Sequence, residues 1–219
     1  MAEGNNYRQI SESNYSNSQP KKKFFGLSKG LWVLIAVVAA LAIWLFTSYN
    51  GLVAQDESVN QSWANLQSQY QRRADLIPNL VNTVKGYTSY EKGTLEAVIN
   101  ARAKATQTTI NADNLDELSM QKFQQAQGEL SSALQRLMVV VERYPELKAS
   151  DQFQQLQAQL EGTENRINES RTLYNEVVMN YNVKVRRFPA SIPASLFGFH
   201  KKTMFQAEAG AENAPQVEF

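Results

Sequence analysis

Residues 30–48 form a run of nineteen amino acids without a charge, preceded by Lys21, Lys22, Lys23 and Lys29 and followed by no basic residue before Arg72. Wound as one helix, a run of that length just covers the roughly 30 Å hydrocarbon core of a bilayer. Basic flanks stay on the cytoplasmic side of such a helix. The expectation is therefore a single-pass protein of the inner membrane, with a cytoplasmic N-terminus and everything after Tyr49 outside the cytoplasm. A cleavable signal would have a short basic start and an apolar core of about 7–15 residues. Here a polar leader of about thirty residues comes first, and Ala40-Leu41-Ala42, which fits the cleavage pattern, falls in the middle of the run. The run thus reads as an uncleaved signal anchor, with Trp32 and Trp44 near the two interfaces.

The anchor divides the chain into four parts: a polar leader (residues 1–29), the anchor (30–48), a helical region (49–187) and an aromatic and basic tail (188–219). The leader is rich in Asn, Ser, Gln and Tyr and poor in aliphatic residues, the composition of a disordered segment. The helical region balances fifteen basic against sixteen acidic side chains, so it lacks the basic footprint of a nucleic-acid-binding surface. Cysteine is absent, which removes disulfides and thiolate metal sites.

Beyond the anchor the hydrophobic period is helical throughout. Tyr49, Leu52, Val59, Trp63, Leu66, Tyr70, Ile77, Leu80, Val84 and Tyr87 follow one alternating three-four spacing that only Asp56 and Arg73 interrupt. Such spacing lays a single apolar seam along a helix, and the seam continues the anchor. Pro78 lies inside it, so a kink is expected near residues 75–78. Gly86 with Ser89 and Glu91 suggests a stop and a second helix from about Ser89 to Gln107. A third carries Leu115 through Tyr144, capped from the turn at residues 111–114 and ended by Pro145. A fourth, capped by Ser150 or Asp151, repeats the seam from Phe153 to Val185. Short connections make neighbouring helices antiparallel. The fold class is all-α: an N-terminal transmembrane helix continuing into an antiparallel four-helix bundle, or into three long helices if Gly86 is only a second kink.

Several stretches resemble the LemA family: Asp75-Leu76-Ile77-Pro78-Asn79-Leu80-Val81, then Lys85-Gly86-Tyr87 and Glu91, with Trp63 upstream and Arg143-Tyr144-Pro145-Glu146-Leu147-Lys148 downstream. Glu164-Asn165, Arg171, Tyr174-Asn175 and Tyr181-Asn182 match its last helix, and Phe188-Pro189 with Phe197-Gly198-Phe199 its tail. The resemblance implies a bacterial protein with one N-terminal membrane helix and a helical bundle. It implies no molecular function, and the family has also been described with a small N-terminus outside the cell, opposite to the lysine bias. Tyr90 stands where many relatives would have a histidine, which weakens any metal role there.

No motif argues for catalysis. His200 is the only histidine, no Glu-x-x-His pair suits a carboxylate-bridged metal site, and no phosphate-binding loop or nucleophile elbow occurs. No cofactor is expected. The candidate residues are instead structural or contact-making: Trp63, Arg73, Asp75, Pro78, Asn79, Glu164, Phe197, Phe199 and Phe219. Asp75 or Asn79 is expected to satisfy the backbone freed by Pro78. Arg73 lies 24 residues beyond Tyr49, about 36 Å along a helix, and an equal count back from Arg187 reaches Thr163. Arg73 is thus expected to meet Glu164. The tail mixes phenylalanines with Arg186, Arg187, Lys201 and Lys202, which suits either the headgroup boundary of a bilayer or a segment folded over the bundle. The terminal Phe219 suits capture as an added strand, or a frayed end. Expected partners are the lipid bilayer and an envelope protein, not nucleic acid. The glutamine-rich tracts read as polar helix faces, or as contacts between copies of the chain. The runner-up function is an accessory subunit of a membrane protease or transporter.

Overall fold

The computed structural model describes residues 29–88, 90–112 and 115–206, and every regular element among them is helical. The order is α1 (Lys29–Tyr87), α2 (Lys92–Gln107), α3 (Glu117–Val141), α4 (Pro145–Lys148), α5 (Asp151–Arg186) and α6 (Ser191–Leu196). The leader lysines 21–23 and Phe219 lie outside the described residues.

The chain divides into two compact units, residues 1–42 and 43–219. In the first, residues 29–42 are helical and exposed along their whole length, with Trp32, Val33, Leu34 and Val38 all more than half bare. Helix α1, which begins with them, contains an apolar stretch, none of it buried by protein, that is long and apolar enough to cross a membrane.

In the second unit, Leu52, Val59, Trp63, Leu66, Ile77, Leu80 and Val84 of α1 are buried as the three-four spacing requires. Helix α1 ends at Tyr87, so Gly86 marks a stop and the long helices among the described residues number four. Their directions follow from the contacts. Trp63 reaches Ile110 just past α2, whereas the start of α2 follows the end of α1, so these two are antiparallel. Glu91 before α2 meets Arg143 after α3, reversing direction again. Between α1 and α5, Arg73 meets Glu164 and Gly51 meets Lys184. Those pairs are separated by nearly equal lengths of the two helices, the register of an antiparallel pair.

The structure revises several local expectations. Helix α2 begins at Lys92, and the Glu91 carboxylate before it makes no cap bond to the helix but accepts from Tyr144 and Arg143. The cap of α3 is Asp116, whose carboxylate accepts from Ser119 N at 2.8 Å. Pro145 does more than end α3: it opens α4 at the first helical position, where its missing N–H costs nothing. Ser150 caps α5 as expected, accepting from Phe153 N. Tyr49, Tyr87, Ile99 and Leu118 sit on the seams yet remain exposed. Tyr49 and Tyr87 bound the seam of α1, Leu118 lies in the first turn of α3, and Ile99 flanks the narrow stripe that Leu95 and Val98 bury.

The core falls into two clusters. One gathers Leu52, Val59, Trp63, Leu66 and Tyr70 with Phe123, Ile167, Tyr174, Tyr181 and Phe205. The other gathers Ile77, Leu80 and Val84 with Leu95, Leu130, Leu137, Phe153 and Leu160.

Candidate functional site

Between the two apolar clusters lies a polar layer, built from the seam positions of three helices. Arg73 follows Tyr70 and precedes Ile77 on α1, Gln127 separates Phe123 from Leu130 on α3, and Thr163 and Glu164 separate Leu160 from Ile167 on α5. Arg73 is only 2% exposed. Its Nη1 donates to Glu164 Oε2 at 2.9 Å and to Ser131 Oγ at 3.0 Å, and its Nη2 to Gln127 Oε1 at 2.7 Å. The guanidinium also stands 5.3 Å from the centre of the Tyr70 ring. A buried charge is tolerated only with partners of this kind. The helix-rise arithmetic therefore finds the ionic partner of Arg73 and misses its two neutral acceptors. A cavity of about 650 Å³ opens beside the layer and is lined by Arg73, Gln124, Arg171, Glu164 and Phe205 among others.

The other charge that breaks the seam of α1 is paired as well. Asp56 Oδ1 lies 2.7 Å from Lys202 Nζ, and that ammonium also donates to Asn60 Oδ1 at 3.2 Å. The Tyr181 hydroxyl joins this cluster. Burial, together with the Asp56 charge, pushes its pKa up to about 12. Burial alone raises that of Tyr174 well above the tyrosine range.

Lys202 belongs to a strap, residues 199–206, that lies back along α5. After α6 the chain reverses at Gly198, whose φ of +78° is a conformation that residues with a Cβ rarely adopt. Two asparagines of α5 then clamp the strap as a β-strand would. Asn182 accepts from Lys202 N and donates to Lys202 O, both at 2.9 Å. Asn175 accepts from Phe205 N at 2.8 Å and donates to Phe205 O at 3.1 Å. Tyr174 Oη donates to Thr203 O between them, and Thr203 N donates to Leu115 O. The clamps drive Phe205 into a ring of Trp63, Phe123 and Tyr174, with centroids 6.0, 6.4 and 5.5 Å away, and Arg171 covers it at 5.1 Å. The tail thus divides. Residues 199–206 close over the bundle, the second of the two fates that the composition of the tail suits. Phe188, Ile192, Leu196 and Phe197 remain exposed.

Around Pro78 the expectation fails in an informative way. Residue 78 cannot donate to Ala74 O, so that carbonyl is free and lies where Ala74 is buried. Neither Asp75 nor Asn79 satisfies it. Arg102 of α2 does, through Nε at 2.7 Å. Asp75 is exposed and accepts from Gln71 Nε2, and the Asn79 carbonyl accepts from Thr83 Oγ1. A side chain one or two residues from Pro78 is held by the helix away from the carbonyl it would need to reach, whereas an arginine from a facing helix approaches end-on.

Trp63 is buried at 1% and donates from Nε1 to Ile110 O at 3.1 Å, a carbonyl that also accepts from Gln67. Phe197 and Phe199 both pack edge-on against Tyr49, at 4.8 and 6.0 Å. At the far end of the bundle Glu91 accepts from the Tyr144 hydroxyl and from Arg143, each at 3.0 Å. Gln127, Ser131 and Arg102 escape sequence reasoning, as does the clamping role of Asn175 and Asn182, which enter it only through the family resemblance. A signal for the last two is present: the dipeptide Tyr-Asn occurs at 174–175 and again at 181–182, one heptad apart. Gln127 is likewise legible as a polar residue in a seam position.

Nothing in these groups joins a nucleophile to a base. His200 is exposed, and among the described residues no group of three His, Cys, Asp or Glu side chains is placed to hold a metal ion. The arrangement sets helix register and closes the bundle.

The family model for the LemA family matches residues 62–219. Magnetosome protein MamQ 2 of Paramagnetospirillum magneticum is 26% identical over 196 residues, covering 82% of this chain and 72% of that protein. Magnetosome protein MamQ of Magnetospirillum gryphiswaldense is 23% identical, with 85% and 77% covered. Protein LemA of Metamycoplasma hominis is 23% identical, with 89% and 86% covered.

Proposed function

The chain belongs to the LemA family, and from that premise we propose that it is a membrane-anchored, non-enzymatic helical bundle of the bacterial envelope that works through protein or membrane contacts. One observation carries this reading. Helix α1 holds, in one uninterrupted element, an apolar stretch with no protein around it and the seam that organises the core of the bundle. The polar layer and the strap then give the bundle a single register, which suits a surface whose shape is what a partner recognises.

The lysines at 21–23 and 29 favour a cytoplasmic leader and an extracytoplasmic bundle in the inner membrane. Protease added to intact spheroplasts then digests the bundle and spares an N-terminal tag. Loss of the tag with the bundle protected reverses the orientation. For the contact-making role the deciding experiment is crosslinking in intact membranes followed by mass spectrometry. A reproducible partner protein or lipid adduct supports the reading, and turnover of a substrate by the purified chain overturns it.

A further inference from the structure

We propose that the turn from Arg186 to Phe197, containing α6, is a second membrane contact that lies on the surface of an anionic bilayer beside the anchor. Three observations meet there. First, Phe188, Ile192, Leu196 and Phe197 are 77, 54, 69 and 46% exposed, although the clamped strap that follows shows that this chain can bury its tail against the bundle. Second, the segment touches α1 where the uncharged run ends: the Phe197 ring lies 4.8 Å from that of Tyr49, one residue beyond Ser48. Phe46, in the same compact unit, is 69% exposed. The Phe197 ring therefore packs at the residue where the uncharged run of α1 gives way to the bundle. Third, the charge is one-sided. From Val177 to Ala207 the chain has no acidic residue, and it carries Lys184, Arg186, Arg187 and Lys201 besides Lys202, which Asp56 pairs. Arg186 and Arg187 are exposed, and neither has an acidic partner among the described residues.

Apolar rings bordered by unpaired arginines match the boundary between acyl chains and anionic headgroups. A protein partner would also accept bare phenylalanines, but it would not require them beside the end of a membrane helix. Tyr49 and the two arginines set the depth: rings in the boundary, guanidinium groups among the phosphates. The effect is to hold the bundle at two points and so fix its tilt on the bilayer.

The proposal rests on the anchored reading, and its test separates the two. The chain has no cysteine, so Leu196→Cys, Val38→Cys and Val139→Cys each provide one labelling site at an exposed residue. Each full-length variant carries an environment-sensitive fluorophore and is reconstituted in phosphatidylcholine–phosphatidylglycerol vesicles containing lipid with a quencher at a shallow or a deep acyl position. The label at 196 is expected to lose about half or more of its emission to the shallow quencher, as burial of about 5–10 Å into the boundary requires. The label at 38 should respond to the deep quencher and the label at 139, on α3, to neither. Quenching at 38 with none at 196 overturns the second contact and leaves the anchor standing. No quenching at 38 overturns the anchored reading itself. Shielding of the label at 196 that grows with the protein-to-lipid ratio and not with quencher assigns the patch to a second copy of the chain and overturns the lipid assignment. Arg186→Gln with Arg187→Gln should lower the quenching at 196 in anionic vesicles and leave it unchanged in neutral ones.

Discussion

Arg73 and Glu164 lie 91 positions apart in the chain, and their side chains meet at 2.9 Å in the layer that separates the two apolar clusters. The pair is asymmetric, because the Arg73 side chain is 3% exposed and that of Glu164 45%. Removing Arg73 leaves Gln127 and Ser131 without their donor and opens a gap among α1, α3 and α5. Arg73→Ala is therefore expected to cost about 3–5 kcal/mol. Glu164→Ala should cost only about 1 kcal/mol, since solvent screens the carboxylate and the guanidinium keeps two acceptors. Thermal unfolding of the detergent-solubilised chain, followed by circular dichroism, checks both. The double variant should lose less than the sum, and equal, additive losses would remove the coupling.

The bond from Arg102 to the Ala74 carbonyl predicts a conditional effect. In the natural chain Arg102→Ala leaves a buried carbonyl unsatisfied, at about 1–3 kcal/mol. With Pro78→Ala as background, residue 78 regains an N–H that can bond Ala74 within the helix, and the same Arg102→Ala change should cost markedly less. A four-variant unfolding cycle measures the difference. An Arg102→Ala cost independent of residue 78 would show that the arginine does not serve that carbonyl.

Removing one asparagine clamp should loosen the strap without unfolding the bundle. Asn175→Ala deletes both bonds to Phe205, a loss of about 1–3 kcal/mol that appears as roughly a five- to hundredfold faster amide exchange there. Hydrogen-exchange mass spectrometry on the peptide covering 200–206 gives the reading, with residues 130–141 of α3 as the unchanged reference. Phe205→Ala is the harsher change, at about 3–5 kcal/mol, because the ring is 6% exposed among Trp63, Phe123 and Tyr174.

High pH should strain the same strap. Tyr181 titrates near 12 in the folded chain, against about 10 unfolded, so folding favours the neutral phenol. Its contribution is fully present below pH about 10 and is lost as pH rises towards 12, since the unfolded chain ionises first. Tyr174 shifts in the same direction. Spectrophotometric titration of the nine tyrosines should show a late component that coincides with unfolding and shrinks in Tyr174→Phe and Tyr181→Phe. The absence of any late component would contradict the burial of Tyr174 and Tyr181.

The sequence by itself determines the elements, because the signals for them are local. A nineteen-residue uncharged run, a three-four seam interrupted only at Asp56 and Arg73, Gly86 and Ser150 state where helices lie without reference to any neighbour. Even the pairing of Arg73 with Glu164 follows, since antiparallel helices of constant rise bring equal distances into register. The LemA-like stretches are legible for the same reason: each is a short contiguous string. What only the tertiary structure decided are contacts that approach from another element. Arg102 answers the proline on a helix it does not belong to, and Lys202 finds Asp56 from the far end of the chain. The tail is the clearest case. Its residues alone suit lipid and protein equally, and its composition does not vary where its fate does. The division falls at Gly198, where a left-handed turn brings the following backbone within reach of Asn182 and Asn175. Main-chain groups that find side-chain partners spaced along α5 are held to the bundle, while Phe188, Ile192, Leu196 and Phe197, just before that turn, stay exposed.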